Sequence, residues 1–182
     1  MGIDKINILF TAEEIDAKVA EIAEIISADY LDKDLLVLGI LNGSTIFLAD
    51  LVRKLTIPAD FDFVAFSSYG NKTVSSGKVE ILKDIQMDIK NKHVLIVEDI
   101  IDTGFTLGIS QIGANLLSKG ADSVKICTLI NKPFRREFQI KIDYCGFEIK
   151  DEFVFGYGMD YKYKYRSLPY LGYFECCNCS EL

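Results

Sequence analysis

Apolar residues recur along this chain with two different periods, and the switches between them mark the elements. A short strand is expected near Ile6 to Phe10. Thr11 and Glu14 then have the spacing of a capping box, and Ile15, Val19, Ile22 and Ile26 follow at helical intervals, which predicts a helix reaching about Ala28. "LLVLGI", Leu35 to Ile40, is a compact apolar run of the buried-strand type. "LNGS" follows as a turn, and an apolar helix is expected over Thr45 to Lys54. "FDFVAFSS" reads as another strand. From Ser68 to Lys78, "SYGNKTVSSGK" is polar and bracketed by Gly70 and Gly77, the pattern of a mobile loop, before the strand-like "VEIL".

"HVLIV" and "SVKICTLI" are two further buried-strand runs, separated by a helical stretch from Thr106 to Lys119 that stops at Gly120. Strand, helix, strand at that spacing is a parallel βαβ unit. The remaining "DYCGFEIKDEFVFGYGMDYKYKYRSLPYLGYF" is rich in aromatics and glycine and reads as short strands and loops. The fold class is therefore α/β, a doubly wound parallel sheet with a small irregular hood and a flexible lid loop. One domain over residues 1–182 is expected, with a core from about 12 to 145 and a hood made by the N-terminal strand and about 146–182.

Composition narrows the partners. With 182 residues and 49% apolar content, the chain can bury a substantial core. A net charge of −7 argues against a protein that lives on nucleic acid, because neutralising phosphates needs a basic face. The N-terminus lacks the apolar core of a signal peptide, and no apolar run approaches the roughly 18 residues that span a bilayer, so no membrane partner and a cytoplasmic location are expected. Five cysteines, three of them crowded as Cys176, Cys177 and Cys179, do not resemble a disulfide framework or the paired spacing of a zinc site; they read as tail thiols in a reducing compartment. The single histidine, His93, opens a strand away from the polar clusters and reads as structural.

The chemistry concentrates in "VLIVEDIIDTGFTL", Val94 to Leu107. In open α/β sheets ligands collect at the carboxyl ends of strands, where Glu98 and Asp99 are expected as the "VLIV" strand ends. Asp102-Thr103-Gly104-Phe105-Thr106 then bends into a helix start whose backbone N–H groups can surround a phosphate. No Gly-Lys-Thr/Ser follows, so this is not a Walker A loop. An anion nest beside two acids able to accept from vicinal hydroxyls describes a ribose 5-phosphate. Paired acids after a strand also suit the magnesium site of a signalling receiver domain, and a Thr-Gly-x-Thr can simply cap a helix.

The whole pattern, apolar strand, Glu-Asp, two apolar residues, Asp-Thr-Gly-x-Thr, resembles the 5-phosphoribosyl-1-pyrophosphate (PRPP) motif of type I phosphoribosyltransferases. "LFTAEEI", "LNGS" with "FLADLVRKL", "SSYGN...SSGKVEILKD", "LINKP", "GFEIKDEFVFGYGMDY" and "YRSLPY" are similar, in order, to segments of the hypoxanthine-guanine phosphoribosyltransferases. That resemblance implies transfer of phosphoribose from PRPP to hypoxanthine or guanine, giving IMP or GMP and pyrophosphate, with Mg2+ as cofactor and a homo-oligomer, dimer or tetramer, as the assembly. The rivals are a PRPP-binding regulator, which would need a basic surface, and an enzyme preferring xanthine.

Carried over residue by residue, the resemblance implies that Glu98 and Asp99 hold the ribose hydroxyls, and that Asp102 is the general base beside purine N7. Asp102, Thr103, Gly104, Phe105 and Thr106 would wrap the 5-phosphate. Asn42, Gly43 and Arg166 would bind pyrophosphate, with a cis peptide before residue 42. Asn42 stands where the family often has Lys, which removes a cation near the pyrophosphate. Lys132 would donate to purine O6, Phe153 would stack on the base and Val154 would offer backbone groups to its edge. Asp160, at the purine and pyrophosphate side, would bind the metal together with Glu98 and Asp99, and Ser68 and Tyr69 would form the closing lid.

Overall fold

The computed structural model describes residues 6–67, 80–102, 106–135 and 140–175. Ser68 and Tyr69 with the rest of the expected lid, the phosphate-loop residues Thr103, Gly104 and Phe105, and the cysteines near the C-terminus lie outside the described residues.

The first helix forms where its cap predicts. After strand β1 (Ile6–Phe10), the Glu14 amide donates to Thr11 Oγ1 at 3.2 Å and the Thr11 amide to Glu14 Oε2 at 2.8 Å, and α1 runs over Ala12–Asp29. Its Ile15, Val19, Ile22 and Ile26 are buried, as their 3.6-residue spacing requires. Then come β2 (Leu35–Ile40), α2 (Thr45–Lys54), β3 (Asp60–Ser67), β4 (Glu80–Lys83), β5 (His93–Ile101), α3 (Thr106–Ser118) and β6 (Ser123–Asn131). A 3-10 turn at Pro133–Arg135 leads to β7 (Tyr144–Glu148), β8 (Val154–Phe155) and β9 (Leu171–Phe174).

Six strands form the main sheet in the order β4-β3-β2-β5-β6-β7, parallel throughout except for β4, which runs antiparallel along one edge. All six residues of β2 are buried, the signature of a strand covered on both faces. Period-two alternation divides its side chains. Leu35 and Val37 of β2 with Leu95 and Val97 of β5 pack under α1 and α2, whereas Leu36, Leu38, Val94 and Ile96 pack with Ile109, Ile112 and Leu116 of α3. Each such buried aliphatic side chain contributes about 1.5–3 kcal/mol, so the sheet's centre is its most stable part.

Two boundaries differ from the sequence expectation. β5 does not end at Val97 but continues through Glu98 and Asp99 to Ile101, with Glu98 opposite Thr128 and Ile101 opposite Asn131 of β6. The neighbouring ladder extends the strand through residues whose charge argued for a loop. "YCGFE", expected in the hood, is instead β7, pairing parallel to β6 with Tyr144 opposite Cys127. An edge strand with a glycine and one buried aromatic carries too weak a periodic signal to be read from sequence.

The hood is a separate three-stranded antiparallel sheet, β1-β9-β8. Its interior is aromatic: Phe155 lies 4.4 Å from Phe174 and 5.1 Å from Tyr165, centroid to centroid, and Tyr161 meets Phe174 edge-on at 5.1 Å. At the far end of the main sheet, His93 Nδ1 lies 2.7 Å from Ser123 Oγ, tying the starts of β5 and β6 together. Among the described residues no helix is long and apolar enough to cross a membrane.

Candidate active site

The chain leaves β2 toward β3 on one side and β5 toward β6 on the other, so the sheet's topological switch lies between the carboxyl ends of β2 and β5. A crevice opens at such a point because the two connections diverge. Here residues of the hood face it across an open cavity of about 330 Å3. Its lining includes Asn42, Gly43, Glu98, Asp99, Asp102, Lys132, Phe153, Val154, Asp160 and Arg166, ten residues singled out in the sequence. Thr106 opens α3 just beyond Asp102.

The β2 end supplies Leu41, Asn42 and Gly43, and the Leu41–Asn42 peptide is cis. Ser44 Oγ donates to the Ile40 carbonyl at 2.6 Å and Thr45 Oγ1 to the Asn42 carbonyl at 2.7 Å, so two hydroxyls fold this turn back onto itself. Gly43 has to be glycine because a Cβ there would lie 1.8 Å from Asp99 Oδ2.

The β5 end supplies the acids. Glu98 is only 5% exposed, and burial drives its carboxyl well above the ordinary range, with the Asp99 charge adding to the effect. Burial also raises Asp99, opposed by hydrogen bonds from the Glu98 carboxyl and from the Ile100 amide, the latter at 3.0 Å. Of the two carboxyls, which share a hydrogen bond, Glu98 is the one raised well above its ordinary range. Two carboxyls this close do not both ionise without a ligand that supplies donors.

Lys132 follows β6, its amide bound to the Ile101 carbonyl at 3.0 Å, and its side chain is 6% exposed. Its ammonium lies 3.6 Å from Asp102 Oδ2, so an acid at the end of β5 and a cation at the end of β6 face the same space.

The hood supplies the opposite wall. Phe153 is half exposed, with Tyr161 packed edge-on against it at 5.7 Å, which leaves an aromatic face braced toward the cavity. Asp160 Oδ1 pairs with Arg166 Nη2 at 2.6 Å, Asp160 Oδ2 accepts from the Tyr163 amide at 2.8 Å, and Arg166 Nη1 donates to the Gly158 carbonyl at 2.6 Å. Gly158, at φ +102°, lies so close to the core that a Cβ would fall 2.0 Å from the Gly43 carbonyl oxygen.

The donor chemistry suits Mg2+. Among the described residues no three His, Cys, Asp or Glu side chains gather into a metal cage. Mg2+ seldom needs one, since it keeps waters and is usually held by one or two carboxylates plus substrate phosphates. Asp160, 29% exposed at the cavity, and the Glu98-Asp99 pair are oxygen donors of that kind.

Sequence reasoning did not assign Ile40, Ile100, Leu41 and Met159 to the site, and these also line the cavity. The first two were findable from the rule that ligands sit at strand carboxyl ends. Met159 had no signal beyond its place between Gly158 and Asp160.

Residues 7–162 match the family model for the phosphoribosyl transferase domain. The hypoxanthine-guanine phosphoribosyltransferase of Mycobacterium tuberculosis is 45% identical over 172 residues, covering 91% of this chain and 84% of that protein. That of Bacillus subtilis is 44% identical, covering 91% of both. A crystal structure of a hypoxanthine phosphoribosyltransferase from Staphylococcus aureus superposes with a TM-score of 0.87 at 41% identity, covering 93% of this chain and 91% of that one. Matched by that family model over most of its length and by such relatives at about 45% identity, this chain belongs to the phosphoribosyltransferase family and, within it, to the hypoxanthine-guanine phosphoribosyltransferases.

Proposed function

We propose that the cavity transfers the phosphoribosyl group of PRPP to N9 of hypoxanthine or guanine, releasing pyrophosphate and forming IMP or GMP, in a purine salvage reaction of the cytoplasm. The convergence of Asp102 and Lys132 at 3.6 Å, opposite Phe153, carries this reading. A flat base stacked on Phe153 has one edge within reach of a carboxylate and a buried ammonium. Lys132 donates to O6, Asp102 takes the proton from N7, and Val154 offers backbone groups to the remaining edge. Glu98 and Asp99 accept from the ribose hydroxyls, and the stretch Asp102, Thr103, Gly104, Phe105, Thr106 wraps the 5-phosphate at the start of α3.

The reaction passes through a ribose cation as pyrophosphate departs, so charge must be stabilised at the leaving group. Asn42 and Gly43 supply backbone and amide donors and Arg166 a guanidinium. Mg2+, held by Asp160 with Glu98 and Asp99 nearby, supplies further neutralisation of the phosphate oxygens when bound. Ser68 and Tyr69 close over PRPP and keep water from the cation. The catalytic unit spans the core and the hood together, in a homo-oligomer, dimer or tetramer. The exposed Phe61 and Leu82 on the β3–β4 edge and Phe134 support that assembly.

The test is pyrophosphate release with PRPP and each purine in turn. Hypoxanthine and guanine are expected to turn over and adenine not, because Lys132 would face the adenine amino group donor against donor, with its hydrogen bond to O6 lost, a penalty of roughly 1–3 kcal/mol or more. Comparable turnover of adenine would remove the O6 role from Lys132. Turnover of xanthine above both others would change the preferred base and leave the reaction standing.

A further inference from the structure

The hood's pyrophosphate-side residues and the Asn42-Gly43 turn belong to different sheets, and their spacing decides whether one pyrophosphate can touch both. The hood segment nearest the core is the turn Gly156–Met159, closed by two backbone bonds, Gly156 amide to Met159 carbonyl at 2.9 Å and the reverse at 3.0 Å. It is tied sideways by Tyr157 amide to Leu168 carbonyl and Gly158 amide to Arg166 carbonyl, both 2.9 Å. The turn is thus a stiff unit that carries Gly158, Asp160 and Arg166 as one body.

Gly158 meets the Gly43 carbonyl oxygen by close approach. Such a contact sets a minimum distance and does not hold the two parts together. Beside the apolar packing of Val154, Met159 and Leu171 into the same core, Tyr157 adds a directed hold. It sits at φ +47°, is 6% exposed, and reaches out of the turn into the main core to donate its hydroxyl to Asp50 Oδ2 at 2.7 Å. Burial and the neighbouring carboxylate push the phenol's ionisation far above its ordinary range, so it remains the donor. Asp50 lies on α2, the helix that starts where the Asn42-Gly43 turn ends, and its other contact, Arg53 Nη1, is long at 3.4 Å. Neither Tyr157 nor Asp50 lines the cavity.

Resting on the pyrophosphate site proposed above, we infer that Tyr157 and Asp50 form a positioning pair that locks the hood turn to α2, so that Arg166 and Asp160 stand at a fixed distance from Asn42 and Gly43 and the site is preorganised for the magnesium pyrophosphate half of PRPP. Both walls of that subsite are then referenced to one helix. On the purine side, Lys132 is instead referenced to the main sheet through its amide bond to the Ile101 carbonyl.

Tyr157→Phe keeps the ring packing and deletes the bond, and Asp50→Ala deletes it from the other side. Each is expected to raise KM for PRPP and the calorimetric Kd for magnesium pyrophosphate about three- to tenfold, the net worth of one ordinary hydrogen bond, while KM for hypoxanthine and kcat stay within about twofold. Asp50→Asn keeps an acceptor oxygen and is expected to restore parental values. The double variant is expected to be no worse than either single one. A merely structural pair would lower Tm and move the constants for both substrates alike, or move neither, and either result overturns the inference. If the parent releases pyrophosphate and the variants match it, only the positioning pair fails. If the parent itself neither binds magnesium pyrophosphate nor releases it from PRPP, the proposed reaction fails and the pair with it.

Discussion

The six-stranded sheet and the three-stranded hood face each other across one cavity, yet they are stabilised by different means. The main sheet rests on aliphatic side chains, buried on both faces of β2 and β5 and repeated at every second position. The hood rests on a handful of aromatic contacts around Phe155 and Phe174, and on backbone turns that place Gly156, Tyr157, Gly158, Lys162, Tyr163 and Tyr165 at positive φ. Evenly repeated packing holds the acids Glu98, Asp99 and Asp102 rigidly at strand ends. Turn-built structure offers fewer interlocking contacts, which suits the wall that has to admit and release a base. The proposed roles divide in part the same way, with proton transfer, ribose and the O6 contact on the core, base stacking on the hood, and pyrophosphate held between Asn42 and Gly43 of the core and Arg166 of the hood.

The sharpest way to break that division is Asp102→Asn, which preserves shape and removes basicity on the core side. General base catalysis is typically worth about 10²–10⁴ in rate, so single-turnover kcat is expected to fall by that much while KM for hypoxanthine changes less than about threefold. A large change in KM with an unchanged single-turnover rate would move the base elsewhere. On the hood side the expected pattern is the opposite. Stacking a base on an aromatic ring contributes about 1–3 kcal/mol, so Phe153→Ala is expected to raise KM for the purine roughly 5- to 150-fold and to leave kcat within a few-fold; steady-state kinetics at saturating PRPP measures it.

The smallest effect concerns stability. Glu98 has its carboxyl raised by burial and by Asp99, so the folded protein keeps a proton that the unfolded chain releases above about pH 4.5. The contribution is fully present below that pH and is lost as pH rises toward the folded value. Glu98→Gln mimics the protonated form, so above pH 4.5 the variant is expected to melt a few degrees higher than the parent, at about 2–4 °C per kcal/mol for a domain of this size, and with a flatter dependence on pH. Tighter PRPP binding by the same variant would contradict a ribose role for Glu98. Equal melting curves at every pH would show that the two acids share no proton.

The core was legible in the sequence because its signals are periodic. "LLVLGI" became β2 at the predicted residues, and the Thr11–Glu14 box started α1 where expected. The acids were legible through their position after an apolar run, though β5 runs on past them, because strand pairing with β6 outweighs the local charge of Glu98 and Asp99. The hood's register was not legible. Its strands β8 and β9 are two and four residues long, too short for a period to appear, and its shape depends on backbone conformations that a sequence announces only at Gly156 and Gly158. Arg166 and Asp160 came from the resemblance alone, since an acid and an arginine in a Tyr/Lys-rich stretch carry no pattern of their own. The Tyr157–Asp50 bond, spanning 107 positions, had no sequence signal at all.

One register in the hood bears on how the molecule is made. β1 pairs with β9, Ile6 opposite Phe174, so the canopy of the cavity is sewn from the two extremes of the described chain. A polypeptide emerging residue by residue can complete β2 through β7, with Glu98, Asp99 and Asp102 in place, before β9 exists. Until residues 171–174 arrive, β1 has no neighbour, and the pairing that follows closes one of the longest loops in the molecule, the kind of contact that forms late. During synthesis the protein therefore passes through a stage with a finished floor and no closed roof, and the canopy over the crevice is completed only once residues 171–174 are available to pair with β1.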